Sequence, residues 1–395
     1  MFQSHFIRIK KIRSTADSIV FHKVARTLNS GRLNWIEPIW MDIEKVFDLK
    51  VNPFLTGGNC ARWIAVDMLT GNPIGRIAAF ASPDSPSVAP FTDPSLSVTE
   101  MKGGVGFFES VDRLEVAQAL FGAAEAWLRE QRVQTALGPI NPGEKDSFWG
   151  LLIEGFEHAP SYRKSSNPPY YRNLFEQLGY QVDYFQYTFA RSLEEGVPAE
   201  LAERIKPVLA NPRYEFRKLG SDSAEDLRTF ATEAREIYNA AWTKIPGFKP
   251  LSEEQIQNML GKMKPILDTD LLWRAYDRGK PCGFLIFLPE INSLLKDFKG
   301  KLGWFQKIRL FFRLKFNPPK RAIGVVFGIL PRYQGNGLAH ALVSHAGEQI
   351  RSTRNYREFE LNWVGSFNPR MIALVESFGA IRNKTFATFR KELTS

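Results

Sequence analysis

The strongest constraint in this chain is that one pattern occurs twice. Residues 63–80, "WIAVDMLTGNPIGRIAAF", and residues 273–288, "WRAYDRGKPCGFLIFL", both read Trp-x-Ala-x-Asp, a short glycine-containing turn, x-Pro-x-Gly and an apolar run. Such turns join two strands, so each stretch predicts a β-hairpin. The offset is 210 residues from Trp63 to Trp273 and 208 from Gly75 to Gly283. Upstream, "FIRIKKIRSTADSI" pairs with "YEFRKLGSDSAEDL", each a short strand followed by serine or threonine N-caps (Ser14 and Thr15; Ser221 to Ser223) that open an amphipathic helix. Downstream, "NPPYYRNLFEQLGY" pairs with "NPRMIALVESFGA", each starting a helix at Asn-Pro and stopping it at a glycine, Gly179 or Gly379. Four features in one order imply tandem units, here 1–191 and 213–395, joined by a linker over 192–212 that contains "EEGVPAELAERIKPVLANP". Each unit alternates strands and helices, so the expected class is α/β, two mixed sheets flanked by helices.

With 44% hydrophobic and 24% charged residues, the composition is that of an ordered globular protein. No apolar run reaches the roughly 18 residues that would span a bilayer, and the first residues lack the apolar core of a secretory signal, so a cytoplasmic location is expected. Cys60 and Cys282 stand alone, and His340 and His345 are five apart on one helix, so no metal site is expected. Lysine and arginine (52) exceed aspartate and glutamate (42) by ten, which favours an anionic partner. The excess concentrates in residues 299–321, "KGKLGWFQKIRLFFRLKFNPPKR", which holds eight basic residues and no acidic one among many aromatics. As a helix it gathers Phe305, Ile308, Phe312 and Phe316 on one stripe. That pattern suits an interfacial helix on the anionic inner face of a membrane, and equally a core-packing helix with a basic edge. Nucleic acid is the weaker partner, since no recognition motif accompanies the cluster.

Between the apolar "AIGVVFGIL" and the alanine-rich "GLAHALVSHAGEQIRS" lies Arg332-x-x-Gly335-x-Gly337. At a strand-to-helix junction, glycines let backbone N–H groups approach an anion, and the helix dipole favours negative charge there. A plain tight turn reads the same. The element order, this loop and "NPRMIALVESFGA" together resemble the GNAT acyl-CoA N-acyltransferase superfamily. The second unit covers that fold from about Tyr214 to Leu393, and the first resembles a degenerate copy. "GPINP", "GLLIEGF", "NPPYY", "YNAAW" and "ELNWV" are similar to segments of two-domain bacterial GNAT proteins. The resemblance implies acetyl-CoA or a longer acyl-CoA as co-substrate. It implies pyrophosphate held by Arg332 and the backbone of Gln334, Gly335, Asn336, Gly337 and Leu338. Pantetheine would pair with the strand backbone from Gly328 through Ile329 to Leu330, with the Leu330 N–H facing the thioester oxygen and Asn368 on the cofactor side.

Such a reaction needs an amine nucleophile, a base to take its proton and donors for the oxyanion. The family's acid is commonly a tyrosine, and Val375 stands where it would fall. Strand alternation puts Glu358, Glu360 and Asn362 on one face, with Glu360 the first candidate base; a solvated face of ordinary carboxylates is the alternative. Acceptor contacts are expected from Tyr238, Asn239, Trp242 and Phe248, and in the first unit from Tyr170 beside Asp146, Asn167 and Tyr171, all of which also suit caps and packed aromatics. The first unit has Glu109 and Asp112 where phosphate would sit, so only the second is expected to bind CoA. The resulting expectation is one acyl-CoA site and an amine acceptor, either a lipid or long-chain amine or else a small amine or amino acid. A non-catalytic acyl-CoA or membrane-surface module is the reading from a different class.

Overall fold

The computed structural model describes residues 6–83, 101–241, 243, 250–353 and 356–393. The first repeat runs β1 (Ile7–Lys11), α1 (Thr15–Asn29), α2 (Trp40–Phe47), β2 (Asn59–Asp67), β3 (Pro73–Ser82), β4 (Lys102–Ser110), α3 (Leu114–Glu130), β5 (Thr135–Gly138), β6 (Leu151–Glu154), α4 (Tyr171–Gln177) and β7 (Gln181–Ser192). Helix α5 (Ala199–Leu209) follows. The second repeat runs β8 (Tyr214–Lys218), α6 (Ala224–Ala241), α7 (Glu253–Met263), β9 (Leu272–Asp277), β10 (Lys280–Pro289), α8 (Trp304–Phe316), β11 (Arg321–Ile329), α9 (Leu338–Thr353), β12 (Glu358–Gly365), α10 (Pro369–Ser377) and β13 (Ile381–Glu392).

The local signals behave as their chemistry requires. Ser14 accepts from the Asp17 N–H at 3.2 Å and Ser223 from the Asp226 N–H at 3.1 Å, capping α1 and α6. Gly179 and Gly379 close α4 and α10 in the left-handed region, at φ 82° and 77°. Both hairpins form, β2 with β3 and β9 with β10.

The two halves do not make separate sheets. One continuous sheet has the order β1-β2-β3-β4-β5-β13-β7-β12-β11-β10-β9-β8, with β6 also paired to β13. Each repeat therefore gives its last strand to the other: β7 pairs with β12, β13 pairs with β5, and β7 and β13 join antiparallel at the centre. The cores follow the exchange. Ala387 and Phe389 of β13 pack into the first-half core with Phe121 and Phe175. Phe189 of β7 packs with Val364 and Val375 of the second half. The linker helix α5 lays Leu201 and Ile205 against Ala341 of α9.

In the second half, β11 and β12 pair in parallel only from Arg321↔Glu358 to Gly324↔Leu361, and then part. A bulge at Val325 bends β11, since Ile286 faces Val326 while Phe287 faces Gly324. A register shift between Leu361 and Val364 bends β12, where Trp363 has φ 59°. The first half has the same parting after Gly104↔Leu137, but its own chain fills the gap. The Ile140 N–H donates to the Val105 carbonyl at 2.8 Å. Gly104 and Gly106 permit that approach: a Cβ on Gly106 would lie 1.9 Å from the Ile140 oxygen.

Candidate active site

The parting of β11 and β12 opens a cleft of about 670 Å³. Phe287, Val326, Phe327, Phe359, Leu361 and Phe378 are among its predominantly apolar lining. Polar groups enter as Lys145, Arg191, Glu360, Asn362, Asn368 and Arg370 around the strands and α10, and as Gln334, Ser344, Glu348 and Arg351 toward α9. An apolar channel with a few convergent polar groups is the usual form of a small-molecule site.

At one end of β11 the chain turns through Pro331–Tyr333 into α9. Gly335 and Gly337 take φ 82° and 86°, the region glycine alone enters without steric cost. Space around Gly335 is open, and a Cβ on Gly337 would meet only Val208, at 3.4 Å. Arg332, Gln334, Gly335 and Asn336 are exposed. Asn336 accepts from the Leu338 N–H at 3.1 Å, and Gln334 donates to the Ile329 carbonyl at 3.0 Å, so both side chains shape the loop. Leu338, Leu342, Ala346 and Ile350 are fully buried and hold α9 rigidly behind it. An exposed loop of open, left-handed glycines at the start of a well-anchored helix fits a pyrophosphate.

The catalytic expectations need revision. The Leu330 N–H donates to the Cys282 carbonyl at 3.0 Å, inside the β10–β11 ladder, so it faces away from the cleft. Alternation along an antiparallel pair then turns the Phe327 and Ile329 N–H groups to the open side. Glu360 lines the cleft but is fully buried in a polar cluster. Lys384 donates to it at 2.9 Å, Asn383 at 3.4 Å, Ser161 also donates, and Arg321 lies 3.3 Å away. Burial alone would raise its carboxyl, but Lys384 and Arg321 outweigh that and hold it below the ordinary glutamate range. Such a carboxylate is a poor proton acceptor. Asn368 caps α10 by accepting from the Met371 N–H at 3.2 Å, and it also lines the cleft. Val375 is a buried wall residue.

The acceptor expectations fare differently. Asn239 braces a loop, donating to the Leu251 carbonyl at 3.0 Å and accepting from its N–H at 2.8 Å. Tyr238 packs against the second-half core. Tyr170 donates to the Ser110 carbonyl at 2.7 Å, between β4 and α4 of the first half. Asn167 likewise braces Leu152, and Glu109 is held by Asn29, Tyr171 and Arg76. Trp242 and Phe248 lie outside the described residues. One residue that sequence reasoning passed over is Lys145. It reaches from the first half into the cleft, its Nζ 5.7 Å from the Trp363 ring centre and 6.0 Å from that of Trp149. Burial pushes its ammonium down to about 8.

Residues 231–380 match the acetyltransferase (GNAT) family. A tandem GNAT protein from the clavulanic acid biosynthesis pathway superposes with TM-score 0.55 at 13% identity, over 98% of this chain and 99% of that one. Residues 231–380 thus form a GNAT-family domain, and the whole chain has a tandem GNAT fold. A second GNAT structure, the glucosamine N-acetyltransferase region of a fungal multi-domain β-N-acetylglucosaminidase, gives TM-score 0.54 at 13% identity; the match covers 98% of this chain but 38% of that longer one. The bacterial ceramide synthase of Caulobacter vibrioides is 28% identical over 389 residues, 97% of this chain and 96% of the relative. A GNAT domain within a tandem GNAT fold is the equipment of an N-acyltransferase, and GNAT enzymes take their acyl group from an acyl-CoA.

Proposed function

We propose that the protein transfers a long-chain acyl group from acyl-CoA to the amine of a long-chain amino alcohol. The observation that carries this reading is the size and apolar lining of the cleft between β11 and β12, which exceeds what an acetyl group needs. The relative named for ceramide synthesis supports it, since a ceramide is an N-acylated amino alcohol of that kind. In this reading Arg332 and the Gln334–Leu338 backbone hold the pyrophosphate, Ile329 pairs with pantetheine, and the Phe327 N–H takes the oxyanion role expected of Leu330. Glu360 anchors Lys384 and Arg321 at the end of the cleft instead of abstracting a proton. Lys145, when neutral, accepts the amine proton. Residues 1–191, 192–212 and 213–395 are proposed as the units of duplication, with the first half walling the acceptor side. A lipid acceptor also places the protein at the inner face of a membrane.

Acyl-CoAs of graded length, offered with a long-chain amino alcohol, with small amines and with amino acids, test this by thiol release and mass of the N-acyl product. Preference for long chains on both sides is expected. Turnover of acetyl-CoA with small amines alone would replace the acceptor assignment, and acyl-CoA binding without turnover would mark a binding module.

A further inference from the structure

Sequence left two readings of residues 299–321, and the packing bears on both. Helix α8 touches the body through one face: Leu310 is buried and Leu314 half-buried, in a cluster with Ile39, Leu294, Leu295 and Phe298. Arg313 clamps it there, donating to Asp297 at 2.7 and 3.0 Å, with its guanidinium 5.3 Å from the Phe298 ring centre. The other face is bare. Trp304, Phe305 and Phe316 are 63%, 66% and 72% exposed, and Ile308, Phe311 and Phe312 are exposed beside them. At 3.6 residues per turn these six fall within a sector of about 140°, opposite the packed face.

We infer that α8 seats the protein on an anionic bilayer, its six bare apolar side chains at the headgroup–acyl boundary and its lysines among the headgroups. Lys299, Lys301, Lys307, Lys315 and Lys320 are all exposed, and 299–321 contains no acidic residue. An aromatic patch with lysines beside and within it is the composition of an interfacial helix. Lysine stems can lie along apolar surface while their ammonium groups reach outward, and the Lys315 Nζ sits over the Phe316 ring, 5.7 Å from its centre. A second copy of this face would bring like charges together, which disfavours self-association. Among the described residues no helix is long and apolar enough to cross a membrane, so contact through α8 is peripheral.

The position of α8 suits delivery of a lipid acceptor, and in this respect the inference rests on the proposed reaction. Tyr162 packs in the cluster beneath the helix, and its N–H donates to Glu290 at 2.9 Å while its hydroxyl donates to Asp42. From Phe316 the chain reaches Gly324, where β11 and β12 part, in eight residues (324 − 316).

Flotation with phosphatidylcholine vesicles, with and without phosphatidylglycerol, tests the docking without any turnover. The full-length protein is expected to float with the anionic vesicles and to be released by salt. The triple variant Phe305→Ser/Phe312→Ser/Phe316→Ser and the pair Lys307→Glu/Lys315→Glu should each lose roughly tenfold or more of that binding while keeping the wild-type circular dichroism and melting curve. Failure of the wild type to float, equal flotation of the variants, or a wild-type dimer that the triple variant converts to monomer would each overturn the inference. Acyl transfer measured in detergent micelles separates the two readings: loss of flotation with transfer intact removes only docking, and flotation without transfer removes only the reaction.

Discussion

At the scale of single residues, the proposed reaction separates groups that hold from the group that would move a proton. Lys145 is the latter, because burial brings its ammonium to about 8 and leaves about a tenth of it neutral at pH 7. The neutral fraction grows as pH rises, so kcat should climb as pH passes through about 8 and then level. Lys145→Met should lower kcat by about 100-fold and abolish that rise, with KM for acyl-CoA little changed; a variant with the wild-type pH profile would remove Lys145 from the chemistry. The cradle is tested separately. Gly335→Glu should weaken CoA binding at least roughly tenfold by calorimetry, because it sets an anion against the pyrophosphate. Gly335→Asn, which tolerates the left-handed φ of 82°, should bind nearly as wild type. Equal affinity for both variants would put the pyrophosphate elsewhere. The glycine loop was legible in sequence because its signal is local. The fate of Glu360 was not, since Ser161, Arg321 and Lys384 are remote from it in the chain and meet only in the fold. Leu330 illustrates a finer limit: which way an N–H points depends on strand register, and a one-residue slip reverses it.

At the scale of elements, the two partings of parallel strands are the informative pair. The duplication was readable because hairpins, caps and C-cap glycines are written in consecutive residues, and the repeats do build equivalent strands and helices. Charge at Glu109 and Asp112 suggested why the first copy would not take CoA. The structure adds a geometric argument for the same expectation, since Ile140 already bonds to Val105 across that gap. Nothing in "GPINP" announces this by itself, because the close approach depends on glycines more than thirty residues earlier. Gly106→Val would place a methyl-bearing carbon against the Ile140 carbonyl and should cost about 2–4 kcal/mol in denaturant unfolding. CoA affinity, which belongs to the other half, should stay unchanged; wild-type stability would show that the plug can yield.

At the scale of the molecule, the strand exchange decides what can exist alone. Residues 213–395 without the first half would expose the β12 edge, strip Phe189 from Val364 and Val375, and leave β13 without β5 and β7. That fragment should be insoluble or lack near-UV circular dichroism, and co-expression with 1–212 should restore it; cooperative unfolding of the isolated fragment would contradict this. Swapped and unswapped pairings share the same hydrophobic pattern, so sequence could not choose between them. The exchange also sets a timetable on the ribosome. Strand β5 emerges about 240 residues before β13, and at roughly 5–20 residues per second its edge stays open for about 12–50 seconds. A nascent chain with a bare sheet edge for that long is a natural client for a holding chaperone, and its yield should depend on translation speed more than that of a protein whose sheets close in order.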